Sequence, residues 1–250
     1  MGHAVVHFEL IGPNPREAAK FYEELFGWHT QTWDEGGENE YILVDTHAGS
    51  GINGGIGASR GGSPKVTFYA EADDLQAMLD KAESLGGTTV MPVTEIPMVT
   101  FAHLSDPQGN VVGLVKGAEP GQEAPGVSPG DNPGVSWFEV LGPDPKALWG
   151  FYKELFGWSI KESEGEGFVY GEVDTGSERG IPGGIGATFD GQGHTNVYAG
   201  VDDLQKYVER AESLGGKTLM PPMEVSGGTS IAMLADPQGT WFGLFKSSSM

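Results

Sequence analysis

The chain repeats itself. FYEELFGW at 21–28 returns as FYKELFGW at 151–158, an offset of 130 residues. GGIGA at 54–58 returns at 183–187 and AESLGG at 82–87 returns at 211–216, both at an offset of 129. DPQG at 106–109 returns at 236–239 and restores the offset of 130. The matches keep their order and slip by single residues, the mark of a duplicated unit. Between the copies lies GAEPGQEAPGVSPGDNPG, residues 117–134, half of it Gly or Pro. That composition suits neither helix nor sheet and reads as a roughly extended linker. The 250 residues therefore divide into domain 1 at 1–116, the linker at 117–134, and domain 2 at 135–250. Each copy has the size of an ordinary domain.

Two helices are legible in each copy. Asn14 and Asp144 stand as N-caps ahead of Pro15 and Pro145, residues suited to the first helical position. Apolar residues then recur at Ala18, Phe21, Tyr22 and Leu25, and again at Leu148, Phe151, Tyr152 and Leu155. That spacing is the stripe of a helix with one buried face. Gly27 and Gly157 sit where a left-handed C-terminal cap is expected. A second stripe runs through Leu75, Met78, Leu79 and Ala82, matched by Leu204, Tyr207, Val208 and Ala211, with Gly86 and Gly215 ending it. The remaining apolar segments, such as 5–11, 65–71, 135–141 and 195–201, read as short strands. GGIGA, LGG and DPQG read as paired turns. Helices are too few to alternate with every strand, which excludes a doubly wound sheet. An α+β fold is expected, with helices on one face of a mostly antiparallel, curved sheet and a concave pocket on the other.

The charge narrows the partners. Fourteen Lys and Arg stand against 35 Asp and Glu, a formal charge of −21. A phosphate backbone or an anionic membrane surface needs clustered cations, so neither is an expected partner. The absence of Cys excludes disulfides, thiolate metal sites and a cysteine nucleophile. No basic-then-apolar leader opens the sequence and no apolar run is long enough to span a bilayer, so a cytoplasmic protein is expected.

Strand alternation nominates the pocket residues. In the first strand Phe8 and Leu10 belong to the apolar set, which leaves His7 and Glu9 facing the concavity. The second copy puts Trp137 and Glu139 at those places. Thr67 and Tyr69 share a face in the strand before the second helix, as do Asn196 and Tyr198. An aromatic cup holding a few polar groups is the usual form of a small-molecule site. A carboxylate at the same pocket-facing place in both copies nominates Glu9 and Glu139 as catalytic. A partly desolvated carboxylate can act as a general base or anchor a ligand.

A strand, a capped helix reading FYEELFGW, a later DDL helix start, and DPQG before a final strand together resemble the vicinal oxygen chelate superfamily. That superfamily holds glyoxalases, extradiol dioxygenases and bleomycin-binding resistance proteins. The resemblance covers both copies and leaves out only the linker. It implies paired βαβββ modules forming a cupped sheet in each copy, and a divalent ion held by His and Glu in the metal-dependent members. The implied ligand positions fall on His7 and Trp137, on Thr67 and Asn196, on Gly113 and Gly243, and near the GGIGA segments. One His cannot hold a catalytic ion, which needs at least three protein ligands, so no metal or other cofactor is expected. An atypical set of His7, Glu9 and His103 is the alternative.

Four functions stay open at this point. The first is a metal-independent small-molecule binder, with His7, Thr67, Tyr69, His103, Trp137, Asn196 and Tyr198 as ligand-binding residues. The second is a metal-free isomerase- or lyase-type enzyme in which Glu9 or Glu139 moves a proton. The third is a metal-dependent lyase or dioxygenase, and the fourth a scaffold whose second copy completes a pseudo-dimer. Tandem modules supply within one chain the pairing that many relatives make between chains, so a monomer or a homodimer is expected.

Overall fold

A computed structural model of the chain describes residues 2–34, 40–59, 61–117, 127–163, 169–188, 190–226 and 228–247. In chain order the first copy runs β1 (Val5–Gly12), α1 (Pro15–Phe26), β2 (His29–Asp34), β3 (Tyr41–Asp45), β4 (Asn53–Ala58), β5 (Lys65–Ala72), α2 (Leu75–Ser84), β6 (Thr88–Ile96), β7 (Val99–Ser105) and β8 (Val111–Lys116). The second runs β9 (Val135–Gly142), α3 (Pro145–Phe156), β10 (Ser159–Glu162), β11 (Tyr170–Asp174), β12 (Gly183–Ala187), β13 (His194–Gly200), α4 (Leu204–Ser213), β14 (Lys217–Ser226), β15 (Thr229–Ala235) and β16 (Trp241–Lys246). The strands form two eight-stranded sheets, ordered β2-β3-β4-β1-β5-β8-β7-β6 and β10-β11-β12-β9-β13-β16-β15-β14. Hairpin partners pair antiparallel, while β5 with β8, β12 with β9 and β13 with β16 pair parallel. The fold is α+β, as the scarcity of helices requires, and each copy is two βαβββ modules.

The helix stripes bury as spaced. α1 buries Ala18, Phe21, Tyr22 and Leu25, and α3 buries Leu148, Phe151, Tyr152 and Leu155. Gly27 and Gly157 close these helices with φ of 78° and 71°, a conformation that costs a side-chain-bearing residue more. The two N-caps differ. Asp144 accepts a hydrogen bond from the Ala147 backbone N–H, but Asn14 makes no such bond and turns its amide onto Glu17 instead. The expectation of a side-chain cap at Asn14 is corrected accordingly.

GGIGA also departs from expectation, being strand in both copies and not turn. Its glycines are required by neighbours on the sheet. A Cβ at Gly54 would lie 2.6 Å from the Phe8 ring, and at Gly55 and Gly184 2.0 Å from the Tyr41 and Tyr170 hydroxyls. The glycines make room for aromatic side chains crossing from adjacent strands, a known use of Gly inside a strand. DPQG is a turn in both copies, with Gly109 and Gly239 at φ of 91° and 90°.

The chain forms two compact units, one of residues 1–7, 67–125 and 137–195, the other of residues 8–66, 126–136 and 196–250. In the first, α2 and α3 pack together, and the Phe68 and Phe138 rings meet at 4.6 Å. The buried Tyr152 hydroxyl donates to Asp106 of DPQG at 3.0 Å. In the second, α1 and α4 pack together, and the Tyr22 hydroxyl donates to Asp236 of the other DPQG at 3.5 Å. Each DPQG aspartate thus serves the tyrosine of the other copy's FYxELFGW helix. Burial and the adjacent carboxylate both raise these two tyrosines well above their ordinary range, so they stay protonated donors. Of the linker, residues 118–126 lie outside the described residues, while Ser128 donates to Asp45 and Asn132 donates to the Gly27 and Thr46 carbonyls. Among the described residues no helix is long and apolar enough to cross a membrane.

Candidate functional site

The first unit carries two clusters of nominated residues. In one, the half-buried Trp137 donates its indole N–H to the Tyr170 hydroxyl at 3.2 Å, and that hydroxyl donates to Glu139 at 3.0 Å. Glu139 is 9% exposed. Burial first, and the Glu139 carboxylate second, push the Tyr170 phenol well above its ordinary value. Gly184 permits the arrangement by leaving space for the Tyr170 hydroxyl. Beside Trp137 opens a depression of about 390 Å³ walled by Ser159, Lys161, Glu172, Val173, Asp174 and Pro182. Register puts Lys161 opposite Glu172 and Ser159 opposite Asp174. The wall therefore offers one indole, one cation and two carboxylates to whatever enters.

The other cluster is His7, Tyr69 and His103. The Tyr69 hydroxyl and His103 Nε2 are 2.7 Å apart, and the His7 ring meets Tyr69 edge-on at 5.5 Å. Burial lowers the His7 imidazole to about 4, so it is neutral at neutral pH. Sheet register explains the Tyr69–His103 contact: Gly113 of β8 stands between Tyr69 of β5 and His103 of β7. The Tyr69 ring lies across Gly113, where a Cβ would sit 2.3 Å from its Cδ1. Thr67 is buried and donates to the Val111 carbonyl at 2.5 Å, which ties it to the sheet.

The second unit places Glu9, also 9% exposed, against Tyr41, whose phenol is raised well above its ordinary value by burial and then by the Glu9 carboxylate. Tyr198 is buried over Gly243 as Tyr69 is over Gly113, and Asn196 is buried two residues before it. Tyr41 and Tyr170 escaped the strand-alternation argument. Their signal was present, because YILVD and FVYGEVD place a tyrosine 129 residues apart, as GGIGA does its glycines.

The family's metal does not fit these residues. Gly113 and Gly243 cannot be replaced in place by a glutamate, because tyrosine rings fill the space above them. Gly55 and Gly184 of the GGIGA strands lie under tyrosine hydroxyls in the same way. Among the described residues no group of three or more His, Asp or Glu side chains is placed to hold a metal ion. His7, Glu9 and His103 therefore do not make a ligand set.

Residues 4–114 match the family described as Glyoxalase/Bleomycin resistance protein/Dioxygenase superfamily, and residues 138–245 match a Glyoxalase-like domain. Among curated proteins, "Putative glyoxylase CFP32" of Mycobacterium tuberculosis is 27% identical over 237 residues, covering 92% of this chain and 89% of its own length. Anthracycline biosynthesis protein DnrV of Streptomyces peucetius is 31% identical over 132 residues, 46% of this chain and 47% of its own. Among solved structures, a Mn(II)-bound glyoxalase from Novosphingobium aromaticivorans superimposes with a TM-score of 0.68 at 14% identity, covering 98% of this chain and 82% of its own. The 2,3-dioxygenase LapB from Pseudomonas sp. KL28 gives 0.69 at 15% identity, covering 99% and 93%. Those two likenesses are likenesses of fold. With both copies matched and the βαβββ modules in place, the chain belongs to the vicinal oxygen chelate superfamily of glyoxalases, bleomycin resistance proteins and dioxygenases, as a tandem two-domain member.

Proposed function

We propose that this protein binds a small planar molecule in the depression beside Trp137 and does so without a metal. The observation that carries the reading is the chain Trp137–Tyr170–Glu139 at the wall of a space of about 390 Å³. The indole offers a stacking face, and its N–H is held by Tyr170, which fixes the ring's orientation. Lys161, Glu172 and Asp174 supply the polar contacts that orient a ligand in such a site. A cytoplasmic protein acting as a monomer or homodimer belongs to the same proposal, the tandem modules supplying within one chain a pairing of modules. Intrinsic tryptophan fluorescence and melting temperature, followed across a broad metabolite panel, test the reading. A saturable shift that Trp137→Ala abolishes is expected. A panel with no shift, or a shift untouched by that substitution, defeats it.

A second reading has its own support. Glu9 and Glu139 each lie buried beside a tyrosine hydroxyl, Tyr41 and Tyr170, at matching places in the two copies. A carboxylate so placed can take a proton from a bound substrate, and an isomerase- or lyase-type step would follow. Changing both to Gln is expected to abolish any turnover found; undiminished turnover would remove both residues from the mechanism.

A further inference from the structure

Sheet register gathers three methionines of the second copy on one patch. On β14 and β15 Met220 stands directly opposite Met233, and Met223 opposite Ile231, two residues before Met233. Directly opposed residues point to the same side of a sheet, so the three thioethers share a face. Met220 and Met223 are three apart on their strand, a spacing that would ordinarily send them to opposite sides. The register shift between them, at Pro221 and Pro222, restores the common face, and re-aiming a side chain is what such a bulge does. The patch lies within the second unit, with Met233 buried, Met220 half-buried and Met223 exposed.

Copy one has the same two strands and the same shift without the same chemistry. There Met91 stands opposite His103 and Thr94 opposite Phe101. Copy two thus carries thioethers at three places where copy one carries a thioether, a hydroxyl and an imidazole. Burial does not account for all three, because an exposed Met223 gains little from it. On the far side of Met233 the Tyr198 ring fills the space above Gly243, which leaves the side of Met220 open to it. Opposed backbones stand about 4.5–5.5 Å apart and diagonal neighbours about 7–8 Å. The three rotatable bonds of each methionine let sulfurs converge across such gaps. Thioether sulfur is a soft, uncharged ligand that selects Cu(I), whereas hard divalent ions take carboxylates and water.

We propose that Met220, Met223 and Met233 form a site for a soft monovalent metal ion, Cu(I) in the cell. None of the three falls on a position that the family resemblance implies for its divalent ion, and the site does not rest on the function proposed for the Trp137 depression. A thioether has no proton to lose, so binding here is independent of pH, unlike binding to imidazole or carboxylate.

The test is calorimetric titration of the full chain with silver nitrate in chloride-free buffer, Ag(I) serving as a soft monovalent ion that is not oxidised in air. One tight, saturable equivalent is expected, with the same affinity at about pH 7.5 and about pH 5.5. Met233→Leu and Met223→Leu are each expected to weaken it at least about tenfold, the least that loss of even an outer-sphere metal partner costs. Leucine keeps the volume and apolarity of methionine, and Met223 is exposed, so Met223→Leu serves should Met233→Leu fail to fold. Met98→Leu alters an exposed methionine of copy one and is expected to change nothing. No saturable equivalent, an affinity that falls with acid, binding that survives Met223→Leu, or an equal loss in Met98→Leu each overturn the proposal.

Discussion

His7 makes the fold sensitive to acid in a window that can be named. In an unfolded chain an imidazole takes up its proton near pH 6.5, whereas burial delays that step in the folded protein to about 4. Between those values the unfolded state holds more protons than the folded one. Stability is therefore intact above about pH 6.5 and is lost progressively as the pH falls toward the folded value. A gap of about 2.5 units at about 1.4 kcal/mol each amounts to roughly 3 kcal/mol, a substantial share of the ~5–15 kcal/mol that holds an ordinary domain together. Urea unfolding of the wild type and of His7→Phe at several pH values between about 7.5 and about 4.5 isolates the contribution, because other titrating groups act on both proteins. The wild type is expected to lose roughly 2.5 kcal/mol more than the variant across that window, which stops short of the folded value. Parallel stability curves would refute the reasoning, since they would mean that His7 reaches its proton in the folded state as easily as in the unfolded one.

The crossed tyrosine–aspartate bonds predict an order. Tyr152→Phe removes a 3.0 Å bond to Asp106 and is expected to cost about 1.5–3 kcal/mol, whereas Tyr22→Phe removes a 3.5 Å contact at the limit of hydrogen bonding and should cost less. Chemical denaturation of the two variants checks the order, and equal losses would show that the difference in length has no energetic meaning. The caps predict a second contrast. Asp144→Ala gives up the bond to the Ala147 N–H and should cost about 1 kcal/mol, while Asn14→Ala should cost only a few tenths. Thermal unfolding reads both, and an Asn14→Ala loss as large as that of Asp144→Ala would contradict the geometry.

The duplication, the four helices and the order of a strand, a helix and several strands in each copy were legible from residue spacing, because helix stripes and C-capping glycines are local signals; the βαβββ modules were implied by the family resemblance. Gly27 and Gly157 close their helices where the motif placed them. Local signals also misled. GGIGA looked like a turn because glycine is the commonest turn residue, yet here it is a strand kept free of side chains so that Phe8, Tyr41 and Tyr170 can cross it. Strands β2, β6, β10 and β14 were missed for a related reason. β2 and β10 are largely polar, as in HTQTWD and SIKE. β6 and β14 expose apolar residues such as Val90, Val93, Leu219 and Met223 and are broken by Pro92 and by Pro221 and Pro222, a poor strand signal.

By itself the sequence determined which side chains share a face, since alternation along a strand is a property of the backbone. His7 with Glu9 and Trp137 with Glu139 came from that rule. Tertiary structure alone decided who meets whom: Tyr170 holding Glu139, Tyr69 reaching over Gly113 to His103, and Asp106 serving Tyr152 from the other copy. Those contacts join residues 31 to 46 positions apart in the chain. Their partners are chosen by sheet register and by helix packing, which depend on the whole fold and leave no periodic trace in any single segment.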